Sequence, residues 1–476
     1  MIFTQAVVEG FHKEYRTLYL PMRFSFAFTL LASLLLFACG KKKPLPEEVN
    51  FAEHIAPIVY ENCTPCHRSG EAGPFPLMTF EDVSKRAKLI RQVTTTRFMP
   101  PWPADPEYVH FVGEKVLSNE AIELLAQWAE NGAKPGDLSK APAPPVYPSG
   151  SSFGKPDMVI KMPKTFQIEG NNTDHFRVMK LPFELPFDTF VRMFEFVPGN
   201  KRLLHHMNGH LITYTASGKQ NVHAGEMAVN TEAYDSRVIH RMLDLLNDDG
   251  TYPLMSPSVS NYLPGVEPAQ YPDGIGGWRI SKKGALYLND VHYGPSAIHD
   301  SDQSYFNVFF APGPPQRPLQ EFQMGTLGVS PIEPPLVIPP DVIKTYVTRY
   351  TVPQDISVLT VNPHMHLLGK SFLAYALTPQ GDTIRLVRLK KWDFRWQYFY
   401  TFPKMLKIPA GSTMVAEGVF DNTKDNPNNP FSPPRIVRDR EGSMRTTDEM
   451  FQLIVTYLPY QAGDENISLE SAKKQP

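Results

Sequence analysis

The sequence predicts a multidomain chain: a small α-helical domain followed by two antiparallel β-sandwiches of the jelly-roll kind. Three observations predict it. The chain has 476 residues, well beyond the usual domain of about 150. Helix-spaced apolar residues are confined to the stretch before about residue 135. Beyond residue 156 the pattern changes to short alternating apolar runs broken by Pro, Gly, Asn and Asp, which favours strands. Composition narrows function as well. With 42% hydrophobic and 12% aromatic residues, the chain is too apolar to be disordered. Its 47 basic and 49 acidic residues balance to a net charge of −2, and without a basic stripe no nucleic-acid partner is expected. Three cysteines, Cys39, Cys63 and Cys66, cannot build a disulfide scaffold.

The amino terminus reads as an address. Phe24 to Ala38 is an unbroken run of apolar or small residues preceded by Arg23. It is shorter than the ~20 residues of a membrane span and has the form of a signal peptide. Met22 would be a natural start, so residues 1–39 comprise an upstream extension plus a signal segment. Leu36-Phe37-Ala38-Cys39-Gly40 resembles a bacterial lipoprotein cleavage box. That resemblance implies a lipid on Cys39 and an exported protein anchored on the periplasmic or cell-surface side of a membrane.

The helical domain spans residues 45–135. Ser118 is placed to cap a helix through Ile122, Leu125 and Trp128 that stops at Asn131-Gly132. Ile55, Ile58 and Val59 suggest another helix, with Pro57 in its first turn. Cys63-Thr64-Pro65-Cys66-His67 is the Cys-x-x-Cys-His arrangement for covalent c-type haem, making this a small cytochrome c domain. Two thiols one turn apart add across the haem vinyl groups, and the adjacent His67 becomes an axial ligand. A zinc site would need further ligands from a second cluster. Arg97 to Trp102 resembles the Met-Pro-Pro-Trp loop of bacterial cytochrome modules, which makes Met99 the expected sixth ligand, with Met78 as competitor. A His/Met pair suits electron transfer.

A Pro-rich linker follows over 136–156. The first sandwich is expected over 157–311, a Pro-rich connection over 312–340, and the second sandwich over 341–465. Leu286, Leu288, Asp290 and His292 are expected on one strand face, as are Val358, Thr360, Asn362, His364 and His366. His364 and His366, two apart, can therefore reach one metal. Neighbours such as His205 and His206 share a metal only at a bulge or strand end. His210 shares parity with His206 and is an alternative ligand. His175, His223, His240 and His299 are expected to be structural or surface residues, and Asp421 to Pro430 a solvated loop.

Four segments then carry a specific resemblance: His205-His206-Met207, Val291-His292-Tyr293, His364-Met365-His366-Leu367-Leu368-Gly369 and Asp448-Glu449-Met450. In this order, with Trp392 to Gln397 as a further matching stretch, they resemble the copper type II, ascorbate-dependent monooxygenases. The peptidylglycine hydroxylating and dopamine β-monooxygenases belong to that family. The resemblance implies two copper ions. His205, His206 and His292 would hold an electron-storing copper; His364, His366 and Met450 would form the catalytic, oxygen-activating site. The soft Met thioether favours Cu(I). It implies hydroxylation of a C–H bond in a small-molecule or peptide substrate with O₂, with electrons from ascorbate, from a redox partner through the haem, or from both. Unlike the animal enzymes, this chain has no cysteine in the copper region, and it shows no counterpart of their substrate-anchoring residues. The competing expectation is a haem c electron-transfer lipoprotein whose sandwiches bind or sense without catalysis.

Overall fold

Residues 45–147, 150–215 and 217–470 are described by a computed structural model. The proposed signal segment, Cys39 and the lysines after it lie outside the described residues. Local signals place the helices. Ser118 Oγ accepts the Ala121 N–H and starts Asn119–Glu130, the capping arrangement its sequence suggests. Pro57 sits in the first turn of Ala56–Asn62, where its missing N–H costs nothing. Thr79 and Asp82 form a capping box at the start of Phe80–Ser84. With Ala87–Thr95, these helices pack around Phe51, Val59, Ile90, Leu125 and fully buried Trp128. The Trp128 indole N–H donates to Lys134 O at 2.9 Å, so its polar edge is satisfied as well.

β-strands make up most of the regular structure. In the first sandwich a five-stranded sheet runs in the order Ala228–Asn230, His175–Glu184, Lys283–Tyr293, Leu204–Thr213, Leu254–Tyr262. It faces a four-stranded sheet of Met158–Lys161, Tyr305–Phe310, Thr189–Val197 and Trp278–Ile280. Leu204, Met207, Leu286, Leu288, Phe194 and Phe306 fill the space between them. The second sandwich pairs Gln320–Gly325, Phe451–Pro459, Ile356–Met365 and Tyr400–Ile408 in one sheet. Its other sheet orders Ile332–Glu333, Ile343–Thr351, Thr413–Asp421, Gly369–Leu377 and Thr383–Leu389. Every named pairing is antiparallel.

Bulges correct two of the expected faces. In the Lys283–Tyr293 strand, Leu288 pairs with Met179 but Val291 pairs with Arg177, so three steps on one strand match two on the other. Leu286 and Leu288 therefore share the core with Val291 and Tyr293, and His292 lies on the opposite face. In the Ile356–Met365 strand, Val358 pairs with Tyr457 and Thr360 with Thr456. Leu359 is the extra residue, and Val358 joins Val361 and Met365 in the core rather than Thr360 and Asn362. A strict period of two holds only between bulges.

The loop after Ala87–Thr95 is built into the second sandwich. Ala104 bridges Leu389, Val112 N–H donates to Thr401 O at 2.8 Å, and Phe111 packs on Tyr400 at 4.9 Å. Asp105, 5% exposed, pairs with Arg388 at 2.5 Å and Lys390 at 3.0 Å.

A second anchor is Asp464, whose carboxylate accepts both ends of the Arg317 guanidinium at 2.7 and 2.8 Å and the Ser357 hydroxyl at 2.5 Å. Those donors, Arg317 foremost, outweigh burial and hold its pKa at about 2. A depressed carboxyl pKa adds stability that is complete above the unfolded value of about 4 and is lost as pH falls through the folded one. The Asp464→Asn variant is expected to unfold more easily at neutral pH and to show a flatter loss of stability below about pH 4. Urea midpoints measured across the acid range check it.

Candidate functional site

Paired bulges assemble the first histidine group. Leu204 pairs with Tyr293 and His206 with His292, so His205 is the extra residue on its strand. Asn208 pairs with Asn289, which places the opposing bulge at Asp290 and Val291. Asp290 takes a left-handed φ of 53° there. Adjacent histidines that a regular strand would send apart thus both meet His292. Ring centroids of His205 and His206 lie 4.8 and 4.9 Å from that of His292. Gly294 leaves room for His205: a Cβ there would stand 2.7 Å from its Nε2.

The nitrogens of this group are divided between two tasks. The Nδ1 atoms of His205, His206 and His292 are all buried without a hydrogen-bond partner. Meanwhile His292 Nε2 donates to Asp174 Oδ1 at 2.7 Å; His206 Nε2 lies 3.2 Å from Asp290 Oδ2 but makes no hydrogen bond. Burial, reinforced by the neighbouring imidazoles, lowers the pKa of His205 to about 4, and burial also lowers His292. Burial alone would raise the Asp290 carboxyl; His206, with His364 and His366 behind it, outweighs that and holds it at about 2. Three buried imidazoles with unpartnered Nδ1 atoms are thus brought together, and imidazole is a common metal ligand. An unsatisfied buried nitrogen otherwise costs about 1–3 kcal/mol.

The second group lies across a cleft. His364 is near the end of its strand and His366 just past it, with rings 5.2 Å apart at 86°. Here Nδ1 is committed: His364 Nδ1 to Gln397 Oε1 at 2.5 Å and His366 Nδ1 to Asp448 O at 2.8 Å. Each ring therefore keeps Nε2 free. Burial, then the neighbouring His366, brings His364 to about 4. Met365 pairs with Phe451, which puts Met450 one residue from the histidine strand's register. Glu449 ties the two strands together: its carboxylate accepts the N–H groups of Leu368 (2.7 Å), His366 (3.0 Å) and Met450 (3.2 Å). Burial nevertheless pushes the Glu449 carboxyl up to about 8.

Phe394 stands between the groups. Its ring is 6.0 Å from His206, 6.3 Å from His292 and 5.7 Å from His366. His206, His364, His366 and Met450 line one cavity of about 820 Å³, which extends past Asn208, Asn289, Glu321 and Asn362 to Trp102 and Pro65 of the helical module. Among the described residues, no group of three or more His, Cys, Asp or Glu side chains is placed to hold a metal ion. The rings of the first group meet edge to face, and the second group has two histidines with Met450 nearby.

At the Cys-x-x-Cys-His segment, Cys66 and His67 N–H both return to Cys63 O, closing one turn. Both cysteines are free; burial pushes Cys63 up to about 12 and also raises Cys66. His67 Nδ1 meets Phe75 O at 3.1 Å, which leaves Nε2 available. Gly73 permits this packing, since a Cβ would lie 2.8 Å from the ring. Met99 and Met78 are both half-buried, and no described contact joins either sulfur to His67.

The remaining histidines sort on their partners. His210 is committed at both nitrogens, to Ser256 O at 3.1 Å and Asn208 Nδ2 at 3.3 Å, and so has no free donor. His175 is held by Glu169 O and Arg177, His240 packs on Tyr287, and His223 and His299 are exposed. The Asp421–Pro430 loop is organised by buried Asn422, whose amide donates to Ile338, Pro339 and Arg435 carbonyls. Sequence reasoning missed Asp174, Asp290 and Glu449 as supports. Glu449 lay inside a quoted motif and Asp290 directly before one; Asp174 had no signal beside it.

Residues 333–432 match the family model described as copper type II ascorbate-dependent monooxygenase, C-terminal domain. That stretch contains His364 and His366, ends before Met450 and does not reach the first histidine group. No curated protein matches the chain. Among solved structures, one match is titled "Structure of PNGF-II in P21 space group", at 8% identity and a TM-score of 0.23. It covers 61% of this chain, which in turn spans 65% of that one.

Glutamine in place of Glu449 has the same shape but only one acceptor oxygen, and its amide would face an N–H donor. Glu449→Gln is expected to cost about 1–3 kcal/mol, read as a lowered denaturant midpoint at pH 9, where the native carboxyl is ionised.

Proposed function

We propose that the chain is an exported copper-dependent monooxygenase that hydroxylates a substrate C–H bond and draws electrons through a c-type haem. The observation that carries it is the pair of histidine groups facing one cleft. In one sandwich His205, His206 and His292 meet with their Nδ1 atoms buried and unpartnered, while in the other His364 and His366 commit Nδ1 and keep Nε2 free. The family match over 333–432 falls on the second pair. His205, His206 and His292 would hold one copper; His364, His366 and Met450 would hold the other. Copper there supplies O₂ activation, so that one oxygen atom enters the C–H bond and the other leaves as water, consuming two electrons and two protons.

The chain's own residues do the rest. Asp174 orients the His292 imidazole through Nε2, as an outer carboxylate does for metal-bound histidine, and Asp290 sets a negative charge beside His206. Gln397 and the Asp448 carbonyl fix the His364 and His366 tautomers. Glu449 holds Met450 beside them through backbone N–H groups. Phe394 walls the two groups from each other, and the cavity accepts the substrate. In the helical module, Cys63 and Cys66 would carry the haem thioethers, His67 and Met99 would bind its iron, and Cys39 would carry a lipid anchor. Ascorbate or a protein donor would reduce the haem or the copper ions.

Metal analysis with electron paramagnetic resonance tests the reading. Two coppers and one haem per chain support it. Zinc, or no metal beyond haem iron, would leave the chain as a haem electron-transfer protein with a binding module. His364→Ala or His366→Ala is expected to lose one of the two coppers and substrate-dependent O₂ uptake while keeping the haem spectrum. Full turnover in either variant would sink the assignment. Asp174→Asn should weaken copper binding at the first group by about 10–100-fold, measured by competition with a chromophoric chelator.

A further inference from the structure

We infer that the cavity between the sandwiches binds an elongated aliphatic amine, with its ammonium group at Glu321 and its chain running along Ile454 toward His364. Calling that amine a substrate rests on the proposed function; the binding itself needs no metal. Glu321 lies on the Gln320–Gly325 strand and lines the cavity that His364 and His366 face. Its Oε2 accepts the Ser258 N–H at 3.4 Å, a long contact. The Ser258 hydroxyl adds nothing, because it donates to Asn208 Oδ1 at 2.6 Å. Among the described residues no cation pairs with Glu321, and burial raises its carboxyl to about 7.

The other charges on the cavity wall are already placed. Lys115, the one Lys or Arg among its described lining residues, donates to Gly265 O at 2.5 Å. Asp290 sits beside His206, and exposed Glu267 interacts with Lys115. Burial lowers the pKa of His210, His240, His364 and His366, so these rings add no positive charge above neutral pH. Three acidic residues against one committed ammonium leave the cavity negative, and Glu321 is the carboxylate without a positive partner. A ligand cation there offsets the cost of burying that charge.

The sheet sets the ligand's length. Glu321 pairs with Thr456, and Thr456 with Thr360. Two rungs on, Gly325 pairs with Gln452, and Gln452 with His364. With adjacent strands about 4.8 Å apart and about 3.4 Å per residue, the Cα atoms of Glu321 and His364 are roughly 16 Å apart. The rung between them is Gln323, Ile454 and Asn362. Both amides of that rung are spent, on Thr326 O at 2.6 Å and Tyr398 O at 2.9 Å, so Ile454 offers an apolar floor to a methylene chain. On the opposite wall Asn289 Oδ1 is buried without a partner, an acceptor for one more N–H or O–H of the same ligand.

Calorimetric titration of the full chain at pH 8 tests the site with three probes of one length: n-octylamine, n-octanol and octanoate. The amine carries its charge at that pH. Octylamine is expected to bind about tenfold or more tighter than octanol, with octanoate weakest. Glu321→Gln is expected to remove the preference for the amine and leave octanol affinity unchanged, which shows that the cavity is intact. Glu321→Asp, which restores the charge, should keep most of the preference. Equal affinity of the unaltered chain for octylamine and octanol, or a preference that survives Glu321→Gln, would overturn the site. Copper counts on the same preparation separate the two failures. A chain that prefers octylamine through Glu321 but holds no copper upholds the site and sinks the proposed function; one with two coppers and no such preference sinks the site alone.

Discussion

The site depends on the paired bulges between the Leu204–Thr213 and Lys283–Tyr293 strands. Without them His205 and His206 would face opposite sides of a sheet, one in the core and one in the cleft. The extra residue at His205 and the compensating one at Asp290 rotate both side chains toward His292. The same distortion brings Asp290 beside His206. Left-handed backbone at a non-glycine residue costs free energy, of order 1–3 kcal/mol. An Asp bears it better than a branched residue would, because its short polar side chain tolerates that conformation. Strain and four unpartnered ring nitrogens therefore coincide at one place. A protein tolerates such a concentration of local cost where a bound group offsets it.

The second group is assembled by the opposite means. No bulge lies at His364; a regular two-residue spacing suffices to aim the pair the same way. Its precision comes instead from a buried carboxylate. Glu449 reaches from the Met450 segment to the backbone of His366 and Leu368, so that three N–H groups from two chain segments meet one acceptor. Because the acceptor binds main chain rather than side chain, it fixes the segments' separation while leaving the imidazoles free to choose their partners.

Legibility in the sequence followed this contrast. His364 and His366 could be paired from spacing alone, since strand parity holds locally there. The Ser118 cap, the Pro57 first turn and the switch from helices to strands were equally readable, because each rests on contacts within a few residues. His205 and His206 could not be joined by spacing, because a bulge depends on the register of a partner strand some 80 residues away. The expected faces of Asp290, His292 and Val358 failed for the same reason. Asp174 was invisible: its only distinction is that folding brings it 2.7 Å from a histidine 118 positions later. The insertion of Trp102 and Phe111 into the second sandwich was also hidden, since aromatic residues in a Pro-rich loop carry no mark of what they pack against.

That insertion changes what the helical module is. Asp105 at 5% exposure, paired with Arg388 and Lys390, cannot be withdrawn from the sandwich without stranding charge. Phe111 and Trp102 would expose aromatic surface, at roughly 25 cal/mol for each Å². A module attached only by a Pro-rich linker would sample many orientations, and its distance to either histidine group would fluctuate. The loop removes that freedom. The residues that stabilise the junction, Trp102 and Tyr398 among them, also line the cavity that His364 and His366 face. Packing at this junction and the shape of that cavity are therefore not separable properties: whatever loosens the loop must also reshape the cavity.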